Sequence, residues 1–527
     1  MERIMRKINM IKTASAVTFA SSLLLASCTG NFEDLNTHPT DVYDDQMTEI
    51  EKVGSVFPVM TYLLNPQQEN NSQMTEQMVG SQYGGYFTCT NKWNGTNFSS
   101  FNPQLNWVDT PFKDMFTDFY PNFLKVKEQT GGTGTIYAWA SIIRVGVMLR
   151  VADTYGPIPY SQMGQGEFAV AYDDTKELYH NMIADLTKSI EVLSGVSGTS
   201  TAYADYDVMY QGDFSKWVKY ANSLKLRMAV RIADVDTEYA KQVMAEAIQS
   251  GVIESNSDNA YLKTINNPFR LASQDWGDLT VNATISAYMN GYSDPRIGKY
   301  MTTSKQNFCG ARMGNNSDNF KNNYGQPGVV GASANYSKPA FESNSPMPVF
   351  YAAETYFLKA EAALQGWIPG GEAAAKGYYE QGIKTSMEQY SVSIGNYLSS
   401  TTKPTGFTDA VNSSDSYTFT TTAASVSWED GDNKLQKIIT QKWIANFPIG
   451  FEAWNDFRRT GYPEMVPPKN NLSSAGYIGT ITDSRMVRRL PYPSTEKDSN
   501  SANVEAAISM LGGPDNGSTD LWWAKKN

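Results

Sequence analysis

The chain has 527 residues, 41% of them hydrophobic and 12% aromatic, with a formal charge of −11 and a sequence pI of about 4.9. That size is enough for one large core or several smaller ones, and the acidity argues against nucleic acid, whose affinity comes mostly from Lys and Arg neutralising phosphates. With only two histidines and three cysteines, there is no His-rich zinc site, Cys-x-x-Cys pair or HExxH motif, and a Ser-His-Asp triad would have to use His38 or His180.

In chain order, Arg3, Arg6, Lys7 and Lys12 precede the apolar run AVTFASSLLLA. The run is too short to span a bilayer, which takes about 20 apolar residues, but it has the form of a secretory signal. Leu25-Ala26-Ser27-Cys28 resembles a bacterial lipobox, so residues 1–27 read as a lipoprotein signal peptide and Cys28 as the lipidated mature N-terminus. Removing the four basic residues and Glu2 takes away a net +3 and leaves −14 on the mature chain. Lipid on Cys28 would tether an otherwise soluble body to a membrane surface. Cys89 and Cys309 are permitted a disulfide by export, but their positions do not show that they meet, and two buried free thiols serve equally well. His38 sits in the polar NTHPT; it and His180 are read as ordinary structural or surface residues.

Apolar residues Trp139, Ile142, Ile143, Val147 and Val151 predict a helix that stops before Gly156-Pro157. Asp174 and Glu177 form a capping-box pattern ahead of the stripe Leu178, Met182, Leu186, Ile190 and Leu193. Asp213 is the expected N-cap of a helix with Trp217, Ala221, Leu224, Met228 and Ile232 on one face, and TEYAKQVMAEAIQSG pairs with it. A second helical block begins at Tyr351 and ends at Gly366, followed by a helix carrying Tyr379, Ile383, Met387 and Tyr390. The mixture of large and small residues in such pairs suggests tetratricopeptide-type hairpins without their strict period. KLQKIITQKWIANF and FEAWNDFRRTGYP form a third pair, split by Pro448 and Gly450. Residues 81–111, 255–348, 395–430 and 462–500 lack periodicity and read as long loops. Of these, 395–430 reads as an exposed excursion. No composition shift marks a linker, so residues 28–527 are taken as a single domain.

Several phrases carry a family resemblance: DLNTHPT, DTYGPIPYSQ, GDFSKWVKYANSLKLRMAVRI, YAAETYFLKAEAALQGW, IITQKWIANFPIGFEAWNDFRRTGYP and RRLPYPSTEKDSNSANVEAAI. Together they resemble the SusD/RagB-like nutrient-binding outer-membrane lipoproteins, from the lipobox to the closing DLWWAKK. The resemblance implies a mostly α fold, a tetratricopeptide-like helical-hairpin scaffold whose long irregular loops carry the ligand site. It also implies a SusC-like TonB-dependent transporter as partner, a glycan or peptide ligand, and a surface-facing place on the outer membrane of a Bacteroidetes-type cell. Glu33 and Asp34, soon after Cys28, resemble the surface-export signal of such lipoproteins at looser spacing.

Within that frame, Asp153 before Tyr155-Gly156-Pro157 reads as turn chemistry. Arg458 and Arg459 read as dipole or ion-pair partners at a helix C-terminus. Sugar recognition calls for flat aromatic faces beside amides and carboxylates, and SQYGGYFTCTNKWNGTNFSSFNPQLNW supplies both. Its candidates are Tyr83, Tyr86, Trp93, Asn94, Asn97 and Phe98, with Trp93 favoured because Trp93-Asn94-Gly95 predicts an exposed turn. Trp276, in a segment that also resembles family framework, and Tyr324 in NNYGQPG complete the set. The alternative for each is that it packs a loop against the scaffold. No cofactor, metal or catalytic residue is expected, although acidic loops leave calcium open and plentiful carboxylates leave a glycoside hydrolase as the rival reading.

Overall fold

The computed structural model describes residues 49–93, 96–196, 198, 200, 202–315, 320–475 and 477–525. The signal segment, Cys28, Glu33, Asp34, His38 and Asn94 lie outside them. The chain divides into Met1–Lys52 and a compact unit Val53–Asn527. Of the first, only the residues that open a short helix at Glu49 are described.

The expected helices form in the second unit, three of them closed by side-chain caps at Asp174, Asp213 and Asn433. α1 (Leu105–Thr130) is followed by α2 (Gly134–Tyr155), α3 (Thr175–Ser194), α4 (Phe214–Ile232) and α5 (Thr237–Ser250). Asp174 caps α3 by accepting from the Lys176 amide, and Asp213 caps α4 by accepting from Ser215 and Lys216. Next come α6 (Ala283–Gly291), the short α7 (Phe320–Tyr324), α8 (Ala352–Leu364) and α9 (Gly371–Gln389). Then follow α10 (Lys434–Ala445), α11 (Gly450–Thr460) and α12 (Ser501–Leu511). Consecutive helices pack as antiparallel neighbours: α1 on α2, α2 on α3, α4 on α5, and α8 on α9. The fold is mostly α, as expected. α2 is long and apolar enough to cross a membrane, but most of its apolar window is buried inside the protein, so it serves as a core helix.

Strands are short and occur in pairs. β1 (Phe87–Cys89) pairs antiparallel with β3 (Leu279–Val281), β2 (Ala260–Leu262) with β4 (Met347–Phe350), and β5 (Gly406–Phe407) with β6 (Tyr417–Thr418). Three expectations change here. α1 begins at Leu105, inside the segment read as a loop to 111, and carries Pro111 and Pro121, which hide its helical signal. α6 likewise forms inside 255–348, where nearly all its residues are buried. Residues 395–430 are no exposed excursion: Asp409, Asp415, Val426 and Trp428 are buried within them, and β5 and β6 lie in this segment.

The scaffold is tied together by buried charge. Arg231 on α4 pairs with Asp153 on α2 at 2.5 Å and with Glu452 on α11. Arg227, one turn earlier, pairs with Glu354 on α8 at 2.7 Å, and Arg459 with Glu361 at 2.5 Å. Asp153 is therefore an interior acceptor, taking bonds from Tyr179 and from Asn455 at 3.1 Å as well, rather than a turn residue. Arg458 donates to the carbonyls of Arg488 and Asp153, both at 2.7 Å, and lies over the Trp454 ring at 3.6 Å. His180 bonds Asp236 at 2.9 Å and stacks near Tyr239, a surface pairing of the kind expected.

Cys89 and Cys309 are buried free thiols, which resolves the alternative left by the sequence. Burial pushes the Cys89 thiol well up and the Cys309 thiol to about 12, so neither forms the reactive thiolate near neutrality. A thiol reagent at pH 8 is expected to modify neither until the protein is unfolded; rapid labelling of the native chain would contradict this burial.

Candidate ligand-binding site

The β1–β3 pair brings the early aromatic loop against the turn after residue 275. Cys89 pairs with Leu279; just beyond, the Thr90 amide donates to the Asp278 carbonyl at 2.9 Å and the Thr90 hydroxyl to the Gly277 carbonyl at 2.5 Å. Trp276 follows a π-helical turn, Leu271–Asp275, of a kind frequent at functional sites. Asn267 starts this segment by capping the Phe269 and Arg270 amides.

Asp278 is the hub. Its carboxylate accepts from Lys321 Nζ on α7 at 2.6 Å, Asn91 Nδ2 at 3.2 Å and Gln73 Nε2 at 3.5 Å. Asn91 in turn accepts from the Trp93 amide at 3.1 Å, and the Trp93 carbonyl accepts from the Thr96 amide at 3.2 Å and hydroxyl at 3.0 Å. These bonds hold Trp93 at φ 39°, in the left-handed region where a bulky residue is a genuine outlier. The Trp93 ring meets Trp107, in the first turn of α1, edge to face at 5.0 Å and 89°. Both indoles are half-buried, and Leu105 beside them is exposed.

Gly277 makes the junction tight. Its φ is +69°, and a Cβ there would sit 1.7 Å from the Gly325 carbonyl oxygen. Gly277→Ala should therefore cost about 1–3 kcal/mol in backbone strain alone, with a further loss from pushing the 325–328 loop away. Thermal unfolding and near-UV circular dichroism check this; an unchanged midpoint would refute the close approach.

Tyr324 stacks on Tyr336 at 4.1 Å and 15°, and donates to Asp415 at 2.6 Å. Asp415 belongs to an open cleft of about 530 Å³ lined by Asn315, Asn412, Ser414, Lys469, Asn470 and Leu472. The Leu472 amide donates to the Ser100 carbonyl at 2.8 Å, linking this cleft to the end of the early loop.

The candidates from sequence thus separate. Tyr83, Tyr86, Asn97 and Phe98 have 0% exposure and present no face to a ligand in this structure. Tyr83 packs among Phe98, Phe101 and Trp454, Tyr86 against Trp443 and Phe447, and the Asn97 side-chain oxygen accepts from the Ser100 amide. The helices α10 and α11 cover this part of the loop, so its aromatic density builds core. Trp93 and Trp276 stay half-buried; Tyr324 is 4% exposed. Asp278 and Lys321, which brace the loop, were not singled out from sequence, because a carboxylate far along the chain carries no local signal. Among the described residues, no group of three or more His, Cys, Asp or Glu side chains is placed to hold a metal ion.

The profile described as Susd and RagB outer membrane lipoprotein matches residues 34–524. The chain belongs to the SusD-like family. Among solved structures, a SusD homologue from Bacteroides thetaiotaomicron VPI-5482 is 34% identical, with a TM-score of 0.82 over 90% of this chain and 99% of that one. A SusD homologue from Bacteroides uniformis ATCC 8492 is 36% identical, with a TM-score of 0.81 over the same shares of the two chains. A chitin-binding SusD homologue from Flavobacterium johnsoniae is 32% identical, with a TM-score of 0.79 over 90% of this chain and 99% of that one. No curated protein matches the chain at a significant level. The SusD-like fold and the outer-membrane lipoprotein family are therefore established by near full-length similarity.

Proposed function

We propose that this SusD-like protein captures an oligosaccharide at the cell surface and passes it to a TonB-dependent transporter, without chemistry of its own. The observation that carries the reading is Trp93, held in a left-handed turn against Trp107 by the Asp278–Asn91 bonds. A braced indole beside amides suits the C–H face of a sugar ring and its hydroxyls, and a site formed before binding loses little entropy. The chitin-binding relative supports a glycan as ligand class. Cys28 is the proposed lipid anchor, residues 1–27 the signal that is removed, and 28–527 the working domain.

The test is calorimetry of the mature chain, expressed without its signal and Cys28, against chito-oligosaccharides, other neutral glycans and peptides, with chromatography of the mixtures. Heat of binding to a glycan with no shortened product is expected. Product release would sink the capture reading in favour of a hydrolase, and binding confined to peptides would move the ligand class.

A further inference from the structure

Behind the Trp276 turn lies a cavity of about 160 Å³ lined by Lys305, Asn323, Tyr324, Gln326, Ser333, Asn335 and Lys338, with Val329 and Ala334. It contains two lysines, three amides and no carboxylate, in a chain whose net charge is −11. Lys338 is only 1% exposed. Its ammonium donates to the carbonyl oxygens of Ser273 and Gln326, both at 2.6 Å, and is not ion-paired to any carboxylate among the described residues. A buried ammonium held by neutral carbonyls alone is costly, because desolvation is offset well only by an opposite charge. Burial pushes it down to about 8; Asp275 opposes that shift and Lys321 adds to it. Asp275 is itself paired with Arg270 at 2.7 Å.

We propose that this cavity is an anion subsite that takes the carboxylate or sulfate ester of an acidic sugar unit in the captured ligand. The inference rests on the glycan reading above and narrows it. Lys338 supplies a fixed positive charge at the wall, Lys305 an exposed one at the mouth, and the amides hydrogen bonds for neighbouring hydroxyls. The cavity adjoins the aromatic loop's own support: the Gly328 amide donates to the Gln274 carbonyl at 2.6 Å, and Gly325 packs on Gly277. An anion arriving there supplies the counter-charge that Lys338 lacks, and the surrounding low dielectric strengthens the attraction relative to water.

The experiment is NMR titration of the mature chain at low salt with D-glucuronate, its methyl ester, glucose 6-sulfate, glucose and inorganic sulfate. Glucuronate or glucose 6-sulfate is expected to bind at least fivefold more tightly than the ester and glucose. Lys305→Gln should weaken that binding about threefold, and Lys338→Met should abolish it. If Lys338→Met fails to fold, Lys305→Gln and the acid-to-ester ratio still decide. Equal binding of acid and ester, or no effect of Lys305→Gln, overturns the proposal; so does binding of inorganic sulfate alone. Trp93→Ala is carried in parallel with chito-oligosaccharides. If these fail to bind the wild type while glucuronate binds, the aromatic platform falls and the anion subsite stands; the reverse result removes only the subsite.

Discussion

Trp93→Ala is expected to weaken oligosaccharide binding by about 10- to 70-fold while leaving the helical circular dichroism unchanged. An indole buries roughly 200 Å² when fully covered. Half of that, at about 25 cal/mol per Å², is worth about 2.5 kcal/mol, and a loss of 1.4 kcal/mol is already tenfold. Trp93→Phe keeps a flat face and should retain most of the affinity. The loop itself is held by bonds from the Trp93 backbone to Asn91 and Thr96, which the substitution leaves in place. Calorimetry with the tightest glycan of the panel decides; an unchanged affinity in Trp93→Ala would remove this residue from the site.

The second large effect is on stability. Arg231→Met should destabilise the protein by about 3–5 kcal/mol, the usual consequence of leaving a buried ion-pair partner uncompensated. Arg231 is buried and bridges Asp153 on α2 to Glu452 on α11, so its loss strips the cation from Asp153 and leaves Glu452 with Arg227 alone, at 3.5 Å. Urea unfolding measures it, and a loss under 1 kcal/mol would show that the network relaxes without Arg231. The same network sets an acid response. Burial raises the Glu452 and Asp456 carboxyls, but Arg227 and Arg231 outweigh it at Glu452, as Lys442 and Arg459 do at Asp456, leaving both below the ordinary range. Their contribution is therefore fully present above the unfolded carboxylate pKa, about 4, and is lost as pH falls through the folded values. Asp153 opposes this, because burial outweighs Arg231 there and raises its carboxyl.

The helical scaffold was legible because its signals are local. Asp174 and Asp213 cap the helices that their sequences announce, and the Trp217–Ile232 stripe is buried as its spacing requires. α1 was not read as a helix, and its start fell in a segment read as a loop, because Pro111 and Pro121 hide its signal inside a long helix that packs on α2. The pairing of Arg231 with Asp153 and Glu452 spans 78 and 221 residues, a separation at which no periodicity speaks.

The candidate site shows the same division more sharply. The stretch from Tyr83 to Trp107 announces itself by composition, and its resemblance to a family of capture proteins follows from phrases along the whole chain. Composition alone cannot separate Tyr83, at 0% exposure, from Trp93, half-buried at the surface, since an irregular loop has no repeat that assigns faces. Residues far away in sequence make that choice. α10 and α11 close over Tyr83 and Tyr86, while Asp278 and Lys321 brace the turn that leaves Trp93 in view. The sequence by itself determined most of the scaffold helices and the family, because caps, periodicity and motifs are short-range. Only the tertiary structure decided which aromatics line a surface and which lysines face a cavity, because burial is a property of the segments that happen to pass overhead.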